Sequence, residues 1–236
     1  MYHYLEEDIG KLRTRLIKMG SVVEEQINAA INAVFDGDIE LAKQIIERDT
    51  KIDKYEVKID KHSQKILALT QPVAFDLRLI ISAMGINRDL ERMGDCAVNI
   101  AKNVDDIVEH KDILPEIGLD KMAEQTKLNI KNVLDALINR DDKLAIDVIK
   151  RDDVVDRYQK ELVQKIIGRM IDDRDLIVAG TNIINVISNL ERLSDHATNI
   201  AEEIVFLMES RIIKHKKDIL ELNEDTPNIS EQSNDL

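Results

Sequence analysis

The run Leu90-Glu91-Arg92-Met93-Gly94-Asp95-Cys96-Ala97-Val98-Asn99-Ile100-Ala101 returns one hundred positions later as Leu190-Glu191-Arg192-Leu193-Ser194-Asp195-His196-Ala197-Thr198-Asn199-Ile200-Ala201. Eight of the twelve residues are identical. An earlier stretch also repeats: Leu41-Ala42, Ile46, Arg48-Asp49, Asp53 and Tyr55 match Leu144-Ala145, Ile149, Arg151-Asp152, Asp156 and Tyr158, at an offset of 103. The chain is therefore an internal duplication, and its fold has to be built from two like units. The change of offset puts three residues fewer into the second copy, in the loop near 170–175 as against 70–76 in the first.

Those units are helical. Gly and Pro number only 8 and 3 in 236 residues, too few for the turns of a sandwich or an α/β fold. Leu90, Met93, Ala97, Ile100, Val104 and Ile107 step by three and four, and Leu41, Ile45, Ile52, Tyr55, Ile59 and Ile66 keep the same face in steps of three, four and seven. Turn signals at Asp36-Gly37-Asp38 and Arg140-Asp141-Asp142, at Gln71-Pro72 and Asp172-Asp173-Arg174, and at Leu114-Pro115-Glu116-Ile117-Gly118 divide the chain into six helical segments. These run over about 5–35, 39–69, 75–111, 117–139, 142–170 and 174–215. Short connections make neighbouring helices antiparallel. The expectation is an all-α protein of two tandem three-helix bundles, residues 1–113 and 116–215, followed by a polar, disordered tail over 216–236.

The formal charge of −13 argues against nucleic acid as a partner and suits cations or basic surfaces. A single cysteine, Cys96, precludes an intrachain disulfide and fits a reducing cytoplasm. Met1–Asp8 has neither the cationic start nor the apolar run of a secretory signal. No apolar run approaches a membrane span, so membrane contact is expected to go through a partner rather than by insertion.

The best-retained segment carries acids. Glu91, Asp95 and Asn99 sit at i, i+4 and i+8 and form one polar stripe, as do Glu191, Asp195 and Asn199. By the helical wheel this stripe points away from the apolar one, to the solvent face or edge of the bundle. Asp49 and Asp53 give a second acidic pair on the preceding helix, also off its apolar stripe, and Asp152 and Asp156 are the pair that matches it in the second copy. Folding each hairpin about its turn brings Asp49 and Asp53 level with Glu91 and Asp95, and Asp152 and Asp156 level with Glu191 and Asp195. Like charges four apart cost a helix about 0.2–0.5 kcal/mol. A hard cation such as Mg²⁺, Ca²⁺, Mn²⁺ or iron, held by oxygen ligands, would offset that cost. Asn99 and Asn199 offer a carbonyl ligand or a hydrogen bond to a carboxylate. The plainer reading is a solvated face, since a chain this acidic holds about nine such pairs by chance.

Other candidates are weaker. His196 reads as a partly buried histidine and Cys96 as a small packing residue. Arg92 and Arg192 read as partners for helix acids, Tyr55 and Tyr158 as core. No Ser-His-Asp order, Gly-rich phosphate loop, Cys-x-x-Cys or Glu-x-x-His occurs.

Gln71-Pro72-Val73-Ala74-Phe75-Asp76-Leu77-Arg78, then Leu90-Glu91-Arg92-Met93-Gly94-Asp95 and Asn99-Ile100-Ala101, together with the second Glu-Arg-x-x-Asp-x-x-x-Asn, resemble the PhoU family of phosphate-uptake regulators. The resemblance spans nearly all the chain except the tail. It implies two tandem three-helix bundles with pseudo-twofold symmetry and no catalysis. It implies metal, often multinuclear, at Glu91, Asp95, Glu191 and Asp195, with Asp49, Asp53, Asp152 and Asp156 from the neighbouring helices. The metal stays open among iron, zinc, manganese and magnesium. It implies a cytoplasmic homodimer that restrains phosphate signalling when phosphate is plentiful, peripheral to the membrane through the transporter. The implied partners are the ATPase subunit of the phosphate ABC transporter (PstB-like) and a sensor histidine kinase (PhoR-like). The second repeat departs at Asp172-Asp173-Arg174-Asp175-Leu176, so the two loops are not equivalent. The rival readings are a helical metal-storage protein and a carboxylate-bridged di-iron oxidase. The oxidase needs inward Glu-x-x-His pairs that this chain lacks.

Overall fold

The computed structural model describes residues 2–209. The expected tail over 216–236, and residues 210–215 of the last predicted helix, lie outside them. Among the described residues the regular structure is helical throughout: α1 Tyr2–Asp36, α2 Ile39–Arg48, α3 Thr50–Leu69, α4 Ala74–Lys102, α5 Val104–Ile107, α6 Ile113–Ile117, α7 Leu119–Asn139, α8 Asp142–Asp172 and α9 Ile177–Glu209.

The two copies start their second helix in the same way. Asp38 accepts a hydrogen bond from the Leu41 amide at 2.9 Å, and Asp141 accepts one from Leu144 at 3.0 Å, so each caps an otherwise unsatisfied donor. They then diverge. The single segment expected over 39–69 is broken at Asp49 into α2 and α3, whereas α8 runs unbroken past Asp152. Asp49 keeps helical dihedrals, but the Asp53 amide reaches its carbonyl only at 3.4 Å. The expected third segment also stops early, at Lys102, and continues as short helical pieces. The Leu114–Gly118 break is itself a turn of helix with Leu114 and Ile117 buried, ended by Gly118 at φ 94°.

Helices α1, α2–α3 and α4 pack as one bundle, and α7, α8 and α9 as the other. The bundles join along α4 and α9, which run antiparallel. Ser82 Oγ donates to the Glu203 carbonyl at 3.4 Å, Asp89 meets His196, and Asn185 Nδ2 donates to Asn103 Oδ1 at 3.4 Å. The register repeats across the duplication: Asn103 faces Asn185, and one hundred residues on Glu203 lies against Gly85. The turns between α3 and α4 and between α8 and α9 therefore lie at opposite ends. Aliphatic side chains of both bundles, from Leu12, Met19 and Ile27 through Leu90 and Met93 to Val186, Leu190 and Ile200, form one continuous core.

Candidate metal centre

The acids lie at the edge of each bundle, along the seam between helices, one of the two places expected. Asp49, Glu91, Asp95, Asp152 and Asp156 are half-buried, and Asp53 is exposed. Asp49 corrects the helical-wheel expectation. It sits in the apolar stripe of its helix, one step after Ile45 and one before Ile52, both buried. Asp152 occupies the same place between Val148 and Val155. The wheel missed this because the stripe continues in steps of three and four through a polar residue.

The second repeat brings its acids together. Ligand oxygens of Asp152 and Asp156 on α8 and of Asp195 on α9 all lie within 4.8 Å of one another, and among the described residues this is the only such group of three. Partial burial, and then the charges of Asp195, Asp156 and Asp152, lift the Glu191 carboxyl to about 7. Burial, with Asp152 and Asp156 next, lifts Asp195 to about 6. Thr198 Oγ1 donates to Asp152 at 3.3 Å. A shallow recess opens here between Asp152, Arg192, Asp195, His196, Thr198 and Asn199.

The first repeat is built differently. Arg92 lies across its own acids, with Nε 3.5 Å from Glu91 Oε2 and a terminal nitrogen 3.5 Å from Asp95 Oδ2. Burial raises the Asp49 carboxyl, opposed by the amide of Gln26 at 3.3 Å and reinforced by Asp53 and Asp95. Glu91 is raised by burial and by Asp95 against the pull of Arg92. These four acids feel one another, but no three of them close into a ligand group.

Three neighbours escaped the sequence reading. Glu56 and Asp60 extend the first face, and burial, Asp60 and Asp53 raise the Glu56 carboxyl. Their signal was legible, since Asp49, Asp53, Glu56 and Asp60 step by four, three and four. Their counterparts, Gln159 and Val163, carry no charge. Asp89 is the third. It is buried, lies 2.9 Å from His196 Nδ1 and accepts from Asn199 Nδ2 at 3.1 Å. Asn199 thus serves a carboxylate of α4 rather than the acids of α8, and the side chain of Asn99 is half-buried on the first face. Burial pushes the Cys96 thiol up to about 11, as suits an inert packing residue.

A duplicated helical bundle with carboxylates gathered along the seams of both repeats defines the class. The chain belongs to the PhoU family: it matches the family model of the PhoU domain over residues 16–104 and again over 119–204. It is 38% identical over 201 residues to a phosphate-specific transport system accessory protein PhoU homolog of Zymomonas mobilis, covering 85% of each chain. It is 36% identical to the protein of that name from Pseudomonas aeruginosa, over 88% of this chain and 86% of the relative. Its fold matches the crystal structure of PhoU from Pseudomonas aeruginosa with a TM-score of 0.81 at 35% identity, covering 87% of this chain and 99% of the other. The phosphate transport system regulatory protein PhoU of Streptococcus pneumoniae matches with a TM-score of 0.82 at 30% identity, covering 89% of this chain and all of the other.

Proposed function

We propose that this chain is a regulatory accessory protein of a phosphate transport system, a metal-bearing adaptor rather than an enzyme. Membership of the PhoU family across both repeats carries the reading, and relatives named as phosphate-specific transport accessory proteins supply the system. The repeats, 1–113 and 116–215, dock through α4 and α9 and act as one body. Among the described residues no helix is long and apolar enough to cross a membrane. The adaptor works in the cytoplasm as a homodimer and reaches the membrane through the transporter ATPase. It restrains phosphate-starvation signalling through the sensor kinase.

The donor set of the second face fits a divalent cation. Asp152, Asp156 and Asp195 offer three oxygens within 4.8 Å of one another, and Glu191 stands by as a fourth. Asp49, Asp53, Glu91 and Asp95 would hold a cation on the first face once Arg92 swings aside. The ion would supply positive charge where burial and mutual repulsion hold carboxyls partly protonated. Thr198 orients Asp152, and the bridge from Asp89 to His196 fixes the helix that carries Asp195. The di-iron alternative asks for histidines among the acids. His196, beside this face, directs Nδ1 at Asp89 instead.

The test is deletion in the native cell. Phosphate-responsive expression should switch on in phosphate-rich medium, and the intact chain should restore repression. A deletion that leaves both that expression and phosphate uptake unchanged contradicts the reading.

A further inference from the structure

The segment Gln71–Arg78 has no chemical counterpart in the second repeat, where Val178 stands in place of Arg78. In the structure this turn gathers cations around an aromatic ring. The guanidinium carbon of Arg140 lies 5.7 Å from the centre of the Phe75 ring, and that of Arg78 lies 6.0 Å from it. Arg13 reaches in from α1, donating to the Ile138 carbonyl at 2.6 Å. Arg13 and Arg140 also line a narrow cleft between the bundles, floored by Leu16, Leu79, Ile86 and Leu207. Leu69, Val73 and Leu77 flank the same turn with their side chains exposed.

Two further observations set the place apart. Among the described residues, the non-glycine residues in left-handed backbone are Ala74 at φ 47° and Arg140 at φ 56°, and both belong to this tip. Arg140 ends α7 at the position where the duplicate, α1, ends on Gly37 at φ 69°. Glycine adopts that conformation freely and arginine does not, so the fold tolerates strain to place a guanidinium here. The chain carries an excess of acids, yet among the described residues Arg13, Arg78 and Arg140 make no ion pair with a carboxylate. At the far tip Ile171, Ile177 and Val178 are exposed, but Arg169 is already paired with Glu116 at 2.8 Å.

We propose that this tip is a docking surface for a partner-protein segment in which carboxylates flank an apolar side chain. The apolar group packs across the mouth of the cleft, against the exposed Val73 and Leu77 beside it. The carboxylates meet Arg13, Arg78 and Arg140, helped by the N-terminus of α4, which has no side-chain cap. An anionic membrane fits less well, because the net charge of −13 repels it. The proposal rests on the adaptor reading above and says where the adaptor binds.

The experiment uses the purified full chain on a biosensor. The analytes are the ATPase subunit of the cell's phosphate transporter, its sensor kinase, and overlapping short peptides covering both. Arg140→Gly is the key variant, because it installs the residue of the duplicate and relieves the left-handed strain, so its melting temperature should not fall. The expected result is that the wild-type chain binds peptides with carboxylates beside an apolar residue. Arg140→Gly and Arg78→Gln should each weaken that binding about tenfold or more. If the wild type binds the ATPase or kinase and Arg140→Gly binds equally well, the docking surface is overturned while the adaptor reading stands. Bound peptides without carboxylates overturn it as well. So does Arg140-dependent binding to phosphatidylglycerol vesicles with no bound peptide. If the wild type binds neither protein, the adaptor reading fails and this inference falls with it.

Discussion

Asp89 Oδ1 on α4 and His196 Nδ1 on α9 lie 2.9 Å apart, and Asn199 reaches the same oxygen at 3.1 Å. A buried carboxylate thus ties the two repeats together. The duplication places Asn189 and Cys96 at the matching positions, so the pseudo-twofold interface carries this bridge on one side only. Asp89→Ala leaves His196 and Asn199 without their partner and should cost about 1–3 kcal/mol of stability, read as a lower urea midpoint. Asp89→Asn, the residue of the other repeat, should cost less. An unchanged midpoint in the alanine variant would show that the bridge does not hold the interface.

Neither repeat should accept the other's residue at the next polar contact. Asn129 Nδ2 donates to Ser194 Oγ at 2.9 Å, and both residues are buried. Ser194→Gly, the residue of the first repeat, should lose about 1–3 kcal/mol by stranding that donor. The first repeat has Gly94 there, and a Cβ would stand 2.8 Å from Ile52 Cδ1. Gly94→Ser should therefore lose about 1–3 kcal/mol by overpacking. Calorimetry of the two swaps checks both.

Much of this was legible in the sequence, and the misses have physical causes. The duplication, the hairpin registers and the pairing of Asp49 with Asp95 and of Asp152 with Asp195 follow from spacing alone. Spacing placed Asp49 outside the apolar stripe because the residue is polar, although it follows buried Ile45 by four positions and precedes buried Ile52 by three. Asp89 went unremarked because it gains its meaning from a residue one hundred and seven positions away on the other bundle. The difference between the two faces was hidden too. Arg92 and Arg192 occupy the same place in the repeat, yet in the structure Arg92 lies across Glu91 and Asp95. The Ala74 and Arg140 backbones were likewise invisible, since no residue type signals a left-handed alanine or arginine.

The acids of the second face give the metal-free protein a distinctive pH dependence. Glu191 near 7 and Asp195 near 6 stand above their ordinary values of 4.5 and 3.8. Between those values the folded chain holds protons that the unfolded chain has released, so stability falls as pH rises through the window. The melting temperature without metal should be higher at about pH 5 than at about pH 7.5. A divalent cation displaces those protons, so the shift it produces should grow over the same range. Asp195→Asn should flatten both trends in a thermal scan.

Arg92 should act as a built-in competitor for the cation on the first face. It is more than half exposed, so Arg92→Gln should change the stability of the metal-free protein by less than about 1 kcal/mol. The same variant should bind more cation than the wild type, with the gain abolished by Asp95→Asn. Isothermal titration with Mn²⁺ reads this as a change in stoichiometry.

The most direct measurement is the metal content of the intact chain, purified without chelator from unsupplemented cells, beside a variant carrying Asp152→Asn and Asp195→Asn. The wild-type chain is expected to retain divalent metal and to melt higher when more is added; the variant is expected to fold, to hold less metal and to respond less, through the first face alone. A wild-type chain that retains no metal and shows no shift with Mg²⁺, Mn²⁺, Zn²⁺ or Fe²⁺ would contradict it.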